Sequence, residues 1–189
     1  MGKVLNAAPS GRFTERPDER NDMSGALILT ARFDEAAQNF FQRQRDAHFP
    51  ADLNIVPAHL TLFHKLPGEE HDAISRTIRD AVAERGPLPA RVADVRFFGR
   101  GGGYKIECEG LVELRAKLAA AFRDWLTRQD QQKHLPHVTY QNKVPKGDAE
   151  RTYARVLEGF APFDAQVVAL DLWWYRRHWD AAGTFPLAG

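Results

Sequence analysis

His59-Leu60-Thr61-Leu62-Phe63-His64-Lys65-Leu66-Pro67-Gly68 is answered later in the chain by His137-Val138-Thr139-Tyr140-Gln141-Asn142-Lys143-Val144-Pro145-Lys146-Gly147. Histidine, threonine, lysine and proline recur at the same offsets: His59 with His137, Thr61 with Thr139, Lys65 with Lys143, Pro67 with Pro145. A proline stands just upstream of each copy (Pro57, Pro136), and each is followed by glycine and an acidic, helix-like segment. An internal repeat outweighs any single-motif reading. It reads here as two similar lobes, each placing one His-x-Thr in a shared groove.

The first copy has the alternation of a strand. Leu60, Leu62, His64 and Leu66 fall on one face, mostly apolar and therefore the core face. His59, Thr61, Phe63 and Lys65 fall on the other. This assigns His64 a structural place. It puts Phe63 where it could stack on a base, with plain packing as the other reading. Lys65 and Lys143 are candidate phosphate contacts or solvated strand-end lysines.

Outward from the repeats, Gly25 to Phe33 is an apolar run that reads as a first strand. Asp34 is placed to cap a helix reaching about His48, stopped by Phe49-Pro50. Ile74, Ile78, Ala81 and Val82 stripe a second helix that ends at Gly86-Pro87. Pro89–Gly99 and Gly103–Glu109 read as a hairpin around Arg100-Gly101-Gly102-Gly103, a turn and not a phosphate loop. Leu111, Leu114, Leu118, Phe122 and Trp125 stripe a third helix. Asp148 is expected to cap a fourth, with Tyr153, Val156 and Leu157 inward, ending near Gly159. Phe163–Tyr175 and Gly183–Leu187 close the chain as strands. The order predicts an α+β fold with two mainly antiparallel sheets.

The chain has 189 residues, 43% hydrophobic and 27% charged, enough for one substantial core. A net charge of +1 gives no global field for wrapping long nucleic acid, though local cations could hold a small phosphorylated ligand. Cys108 is the sole cysteine, so no intramolecular disulfide and no cysteine-based metal site can form. Residues 1–22 are polar and read as a disordered leader, with residues 23–189 as a single bilobal domain. Without a bilayer-length apolar run or a signal-peptide core, the expectation is a cytoplasmic protein.

On a strand, residues i and i+2 share a face about 6.5–7 Å apart. A histidine and a threonine so spaced can address one phosphate together. Imidazole moves a proton near neutral pH, and the hydroxyl donates to a non-bridging oxygen. Two such pairs facing each other supply an acid and a base on opposite sides of one phosphorus, as in-line displacement requires. No metal is needed. A zinc site built on the two histidines lacks a third ligand at fixed spacing.

His59-Leu-Thr-Leu62 and His137-Val-Thr-Tyr140 resemble the paired signature of the two-histidine (2H) phosphoesterase superfamily, in its bacterial 2′-5′ RNA ligase-like branch. The resemblance covers essentially everything after Met23. It implies a bilobal, pseudo-symmetric α+β fold with a central groove and helices outside. It also implies 2′,3′-cyclic phosphodiesterase or reversible 2′-5′ RNA ligation activity, without metal, ATP or other cofactor. His59 and His137 match the catalytic histidines, and Thr61 and Thr139 the phosphate-orienting hydroxyls. Many members carry an arginine soon after the second motif, where this chain has Tyr140-Gln-Asn before Lys143. The implied partner is a nucleotide or short RNA with a cyclic phosphate or 2′-5′ linkage; a monomer is favoured. A binding module that kept the groove but lost turnover is the alternative. Leu172-Trp173-Trp174-Tyr175-Arg176-Arg177-His178-Trp179 is the densest aromatic and basic cluster, read first as a core-closing strand and second as an RNA-facing one.

Overall fold

The computed structural model describes residues 25–175 and 179–188. The expected leader and Arg176, Arg177 and His178 lie outside the described residues. In chain order the elements are β1 (Ala26–Phe33), α1 (Glu35–His48), β2 (Leu60–Leu66), α2 (His71–Val82), β3 (Leu88–Phe97) and β4 (Gly102–Glu107). They continue with α3 (Glu109–Ala121), β5 (His137–Gln141), α4 (Lys146–Glu158), β6 (Phe163–Tyr175) and β7 (Trp179–Pro186).

Local chemistry explains most boundaries. The Asp34 carboxylate caps α1 by accepting from Ala37 N at 3.0 Å. Its other oxygen accepts from Gln166 N at 2.7 Å, so the cap also ties the helix to β6. The stripes of α2 and α3 are buried as expected, with Ile74, Ile78, Leu111, Leu114, Leu118 and Phe122 all at 0% exposure. The fourth helix departs from expectation. It starts at Lys146 after Pro145, whose missing N–H costs nothing there, and not at Asp148. Its inward stripe is Ala149, Val156 and, partly buried against the core as expected, Tyr153, which leaves Leu157 at the edge and exposed.

All strand pairings are antiparallel. The path runs β2-β1-β6-β3-β4-β5, with β7 also on β6. The α+β class holds, but the two expected sheets are one continuous sheet. The reason is β6, whose 13 residues serve both lobes. One edge of β6 carries β1 along Val167–Tyr175. The other carries β3 at Phe163–Val167 and then β7 at Ala169–Tyr175. The sheet curls into a half-barrel, so its terminal strands β2 and β5, one per repeat, line a common cavity. Helix α1 lies against β5, α4 against β3, and α2 on α3. No helix among the described residues is long and apolar enough to cross a membrane.

Candidate active site

The two copies of the repeat meet across a cavity of about 470 Å³ lined by His59, Thr61, His137 and Thr139. Each histidine is set in the same way. His59 Nδ1 donates to the Pro57 carbonyl at 2.7 Å, and His137 Nδ1 donates to the Leu135 carbonyl at 2.7 Å. A carbonyl can only accept, so both rings carry the proton on Nδ1 and keep Nε2 for the cavity. Each ring also rests on an aromatic neighbour. Trp179 lies 4.5 Å from His59 and Phe98 lies 5.0 Å from His137, centroid to centroid.

The strands that carry these residues are bulged at the same place. In β2, Thr61 pairs with Thr30 and Phe63 with Leu29, so Leu62 is an extra residue. In β5, Thr139 pairs with Gly103 and Gln141 with Gly102, so Tyr140 is the extra residue. A bulge resets the alternation of the residues that follow it, in β2 until a second register shift between Phe63 and Leu66 returns Leu66 to the core. Leu62 and Phe63 are therefore both buried, as are Tyr140 and Gln141. The glycines that lead into and open β4 make room for this. A Cβ on Gly102 would sit 2.2 Å from the Tyr140 hydroxyl, and one on Gly101 1.9 Å from the Gln141 carbonyl. These glycines permit close approach of the second motif as well as the turn.

Bulging also frees backbone carbonyls from the ladder, and a buried carbonyl needs a donor. Two arginines supply them, each from the helix preceding the other repeat. Arg45 of α1 donates Nη1 to Thr139 O at 3.2 Å, and its Nε to Asn54 Oδ1 at 2.8 Å and Val56 O at 3.2 Å. Arg115 of α3 donates Nε to Leu62 O at 3.1 Å and Nη2 to Asp130 O at 2.7 Å. His134 Nε2 donates to Thr61 O at 2.9 Å. The lobes are thus cross-braced at the residues that line the cavity.

The electrostatics separate the histidines. Burial, aided by Arg45, His137 and His64, pushes His59 down to about 4 against the opposing Pro57 hydrogen bond. Burial likewise pushes His134 to about 4, with Arg115, His137 and His64 adding to it. Both are neutral at pH 7. Four histidines line this cavity, yet among the described residues no three His, Cys, Asp or Glu are grouped to hold a metal ion. A larger depression of about 810 Å³ lies elsewhere. Its lining includes Asp34, Glu107, Glu109 and Asp164, with Arg91 tied to Asp164 at 2.9 Å, an acidic surface unsuited to phosphate.

Phe63 is not in the groove. The Leu62 bulge turns it into the core at 0% exposure, 5.6 Å from the Phe122 ring and beneath the Arg115 guanidinium. The same phase change brings His64 out to line the cavity, the reverse of its expected core place. Lys65 lies along a separate depression with Gly68 and Trp125. Lys143 is exposed, at φ 63°, with its N–H on Asn142 Oδ1. Neither lysine lines the His–Thr cavity.

A model of the 2′-5′ RNA ligase superfamily matches residues 33–179. The chain belongs to that superfamily. No curated protein matches it. Among solved structures, TT0787 of Thermus thermophilus is 19% identical with a TM-score of 0.62, covering 87% of this chain and 98% of that one. A protein described as a phosphoesterase is 17% identical with a TM-score of 0.58, covering 87% and 99%. Escherichia coli LigT complexed with 3′-AMP is 16% identical with a TM-score of 0.59, covering 87% and 98%. At these identities the likeness is one of fold.

In this 2′-5′ RNA ligase superfamily member, the repeat pointed to four of the residues that line the cavity. It did not point to Arg45, Arg115, Asp130 or His134. Their partners are 53 to 94 residues away in sequence for the arginines' contacts with Leu62 and Thr139, and only the fold reveals them. One signal was available for Asp130. It belongs to a short polar stretch, Thr127 to His134, lying directly before the second motif.

Proposed function

We propose that the protein is a metal-independent phosphoesterase acting on 2′,3′-cyclic phosphate or 2′-5′ linkages in nucleotides or short RNA. One observation carries this reading: two His–Thr pairs line one cavity, each ring held by Nδ1 so that Nε2 is left for substrate. His59, neutral at pH 7, is the base. Its Nε2 takes the proton from the attacking water as the new P–O bond forms. The bond to the leaving ribose oxygen breaks, and His137, entering the step protonated on both ring nitrogens with its Nδ1–H on the Leu135 carbonyl, delivers its Nε2 proton to that oxygen. Thr61 and Thr139 hydroxyls donate to the non-bridging oxygens as charge builds. Ligation uses the same groups with a ribose 5′-hydroxyl in place of the water: the base takes its proton, and the 3′ oxygen of the cyclic phosphate leaves with the proton from the acid. Each positioned proton transfer contributes about 10²- to 10⁴-fold. The binding of 3′-AMP by LigT, a protein of the same fold, supports a nucleotide ligand.

The test is a turnover screen in EDTA across 2′,3′-cyclic nucleotides, cyclic-phosphate-ended RNA and 2′-5′ dinucleotides. His59→Ala and His137→Ala serve as controls. Turnover by the unaltered protein, lost in both variants, is the expected result. Full activity in either variant refutes the mechanism, and nucleotide binding without product favours the inactive binding module.

A further inference from the structure

The repeated pairs occupy only part of the cavity. Its lining also holds a cluster built around Asp130, whose side chain is 0% exposed. The Asp130 carboxylate accepts from His64 N at 2.8 Å, Lys65 N at 3.2 Å, Thr127 Oγ1 at 3.0 Å and His64 Nδ1 at 3.1 Å. Burial raises its pKa, but the bonds from the His64 ring and backbone and from Thr127 outweigh burial, and the net shift is downward. Asp130 is therefore an ionised, fully engaged orienter. It fixes the His64 proton on Nδ1 and leaves Nε2 as the ring's remaining polar atom. The ring is 46% exposed and lines the cavity beside Lys133, Gln129, Gln132 and Arg115. Asp130 is the only carboxylate among the described lining residues, and its oxygens are taken up by protein donors. What this part of the lining presents to a ligand is the Lys133 ammonium, the Gln129 and Gln132 amide donors and, once the ring carries its second proton, the His64 imidazolium Nε2–H. It adjoins the reacting site closely enough for His64 to bear on the pKa of both His59 and His134.

One phosphate is fully served by two histidines and two threonines. A third imidazole, braced by a buried carboxylate in the same cavity, has no role in that transfer. We propose that His64, oriented by Asp130, binds a second phosphate of the substrate next to the reacting one. The preferred substrate class is then an RNA end or nucleotide with at least two phosphates, not a mononucleoside cyclic phosphate. The inference rests on the phosphoesterase reading and narrows it.

Calorimetry compares adenosine 3′-monophosphate with adenosine 3′,5′-bisphosphate on the full chain, its His64→Gln variant and its Asp130→Asn variant. The unaltered protein is expected to bind the bisphosphate at least tenfold more tightly. His64→Gln shrinks that gap below threefold, and Asp130→Asn reduces it in part. Ring-nitrogen NMR of the unaltered protein provides a check that needs no variant: His64 signals shift with the bisphosphate and not with the monophosphate. Equal affinities, a gap that survives His64→Gln, or unmoved His64 signals overturn the proposal. If the monophosphate binds and cyclic mononucleotide is turned over without a bisphosphate gain, only this inference fails. If neither ligand binds and nothing is turned over, the phosphoesterase reading fails with it.

Discussion

Replacing Arg45 with methionine isolates the cross-brace between the lobes. Arg45 is 4% exposed, and its guanidinium spans three acceptors: Asn54 Oδ1, Val56 O and Thr139 O. Hydrogen bonds to a charged group contribute about 1.5–3 kcal/mol each, and the two at 3.2 Å belong at the low end. Gross loss is therefore about 5 kcal/mol. Removing a buried charge offsets part of it, since desolvation is what lowers the Arg45 pKa. Methionine also keeps some packing against the Phe49 ring, 3.9 Å from the guanidinium. The net expectation is about 2–4 kcal/mol of destabilisation, roughly 5–15 °C in Tm for a chain of this size. The second consequence is electrostatic. Arg45 helps depress His59, so its loss lets the His59 pKa rise. The acid limb of the kcat/KM–pH profile then moves to higher pH, which a purely structural brace would not cause. Calorimetric melting and a pH–rate series with a cyclic nucleotide read both effects. An unchanged Tm refutes the bracing argument, and a stationary acid limb refutes the coupling to His59.

Phe63→Ala should cost about 3–5 kcal/mol, as a fully buried aromatic in a packed core does. Chemical denaturation measures it, while KM at a temperature where the variant is folded stays near that of the parent; a large KM effect in a folded variant would put Phe63 back in the groove. Acid lability follows from His59 and His134, each at about 4 in the fold against 6.5 when exposed. Between those values the unfolded chain holds more protons than the folded one, so stability is full above pH 6.5 and falls as pH drops towards 4. Melting at about pH 7.5 and about pH 5 tests this, and His134→Gln should flatten the slope; an unchanged slope contradicts the assignment to His134.

Much of this was legible because the chain writes its centre twice. His59, Thr61, His137 and Thr139 could be read from the repeat, and the strand and helix order from periodicity. Alternation misplaced Phe63 and His64 for one reason. A bulge at Leu62 is a property of pairing with β1, and pairing is not written in β2 alone. The single sheet was hidden for a related reason: the length of β6 is visible, but not that its two halves pair with different lobes. The glycine run was legible as a hairpin signal, but only Gly101 lies in the turn, Gly102 and Gly103 open β4, and their role in admitting Tyr140 and Gln141 depends on residues far along the chain.

The sharing of β6 reaches beyond the site. Strand β1 is buried almost end to end, yet its partner on one side is Val167–Tyr175, near the other end of the described chain. During synthesis, the first motif emerges long before the strand that completes its sheet. Such distant pairing slows folding, and an unpaired apolar edge invites association with other chains. A nascent chain halted before β6 holds both histidines but lacks the scaffold that lets them face each other. The repeat is therefore expected to act as two half-sites on one cooperative folding unit, with neither half forming without the strand they share.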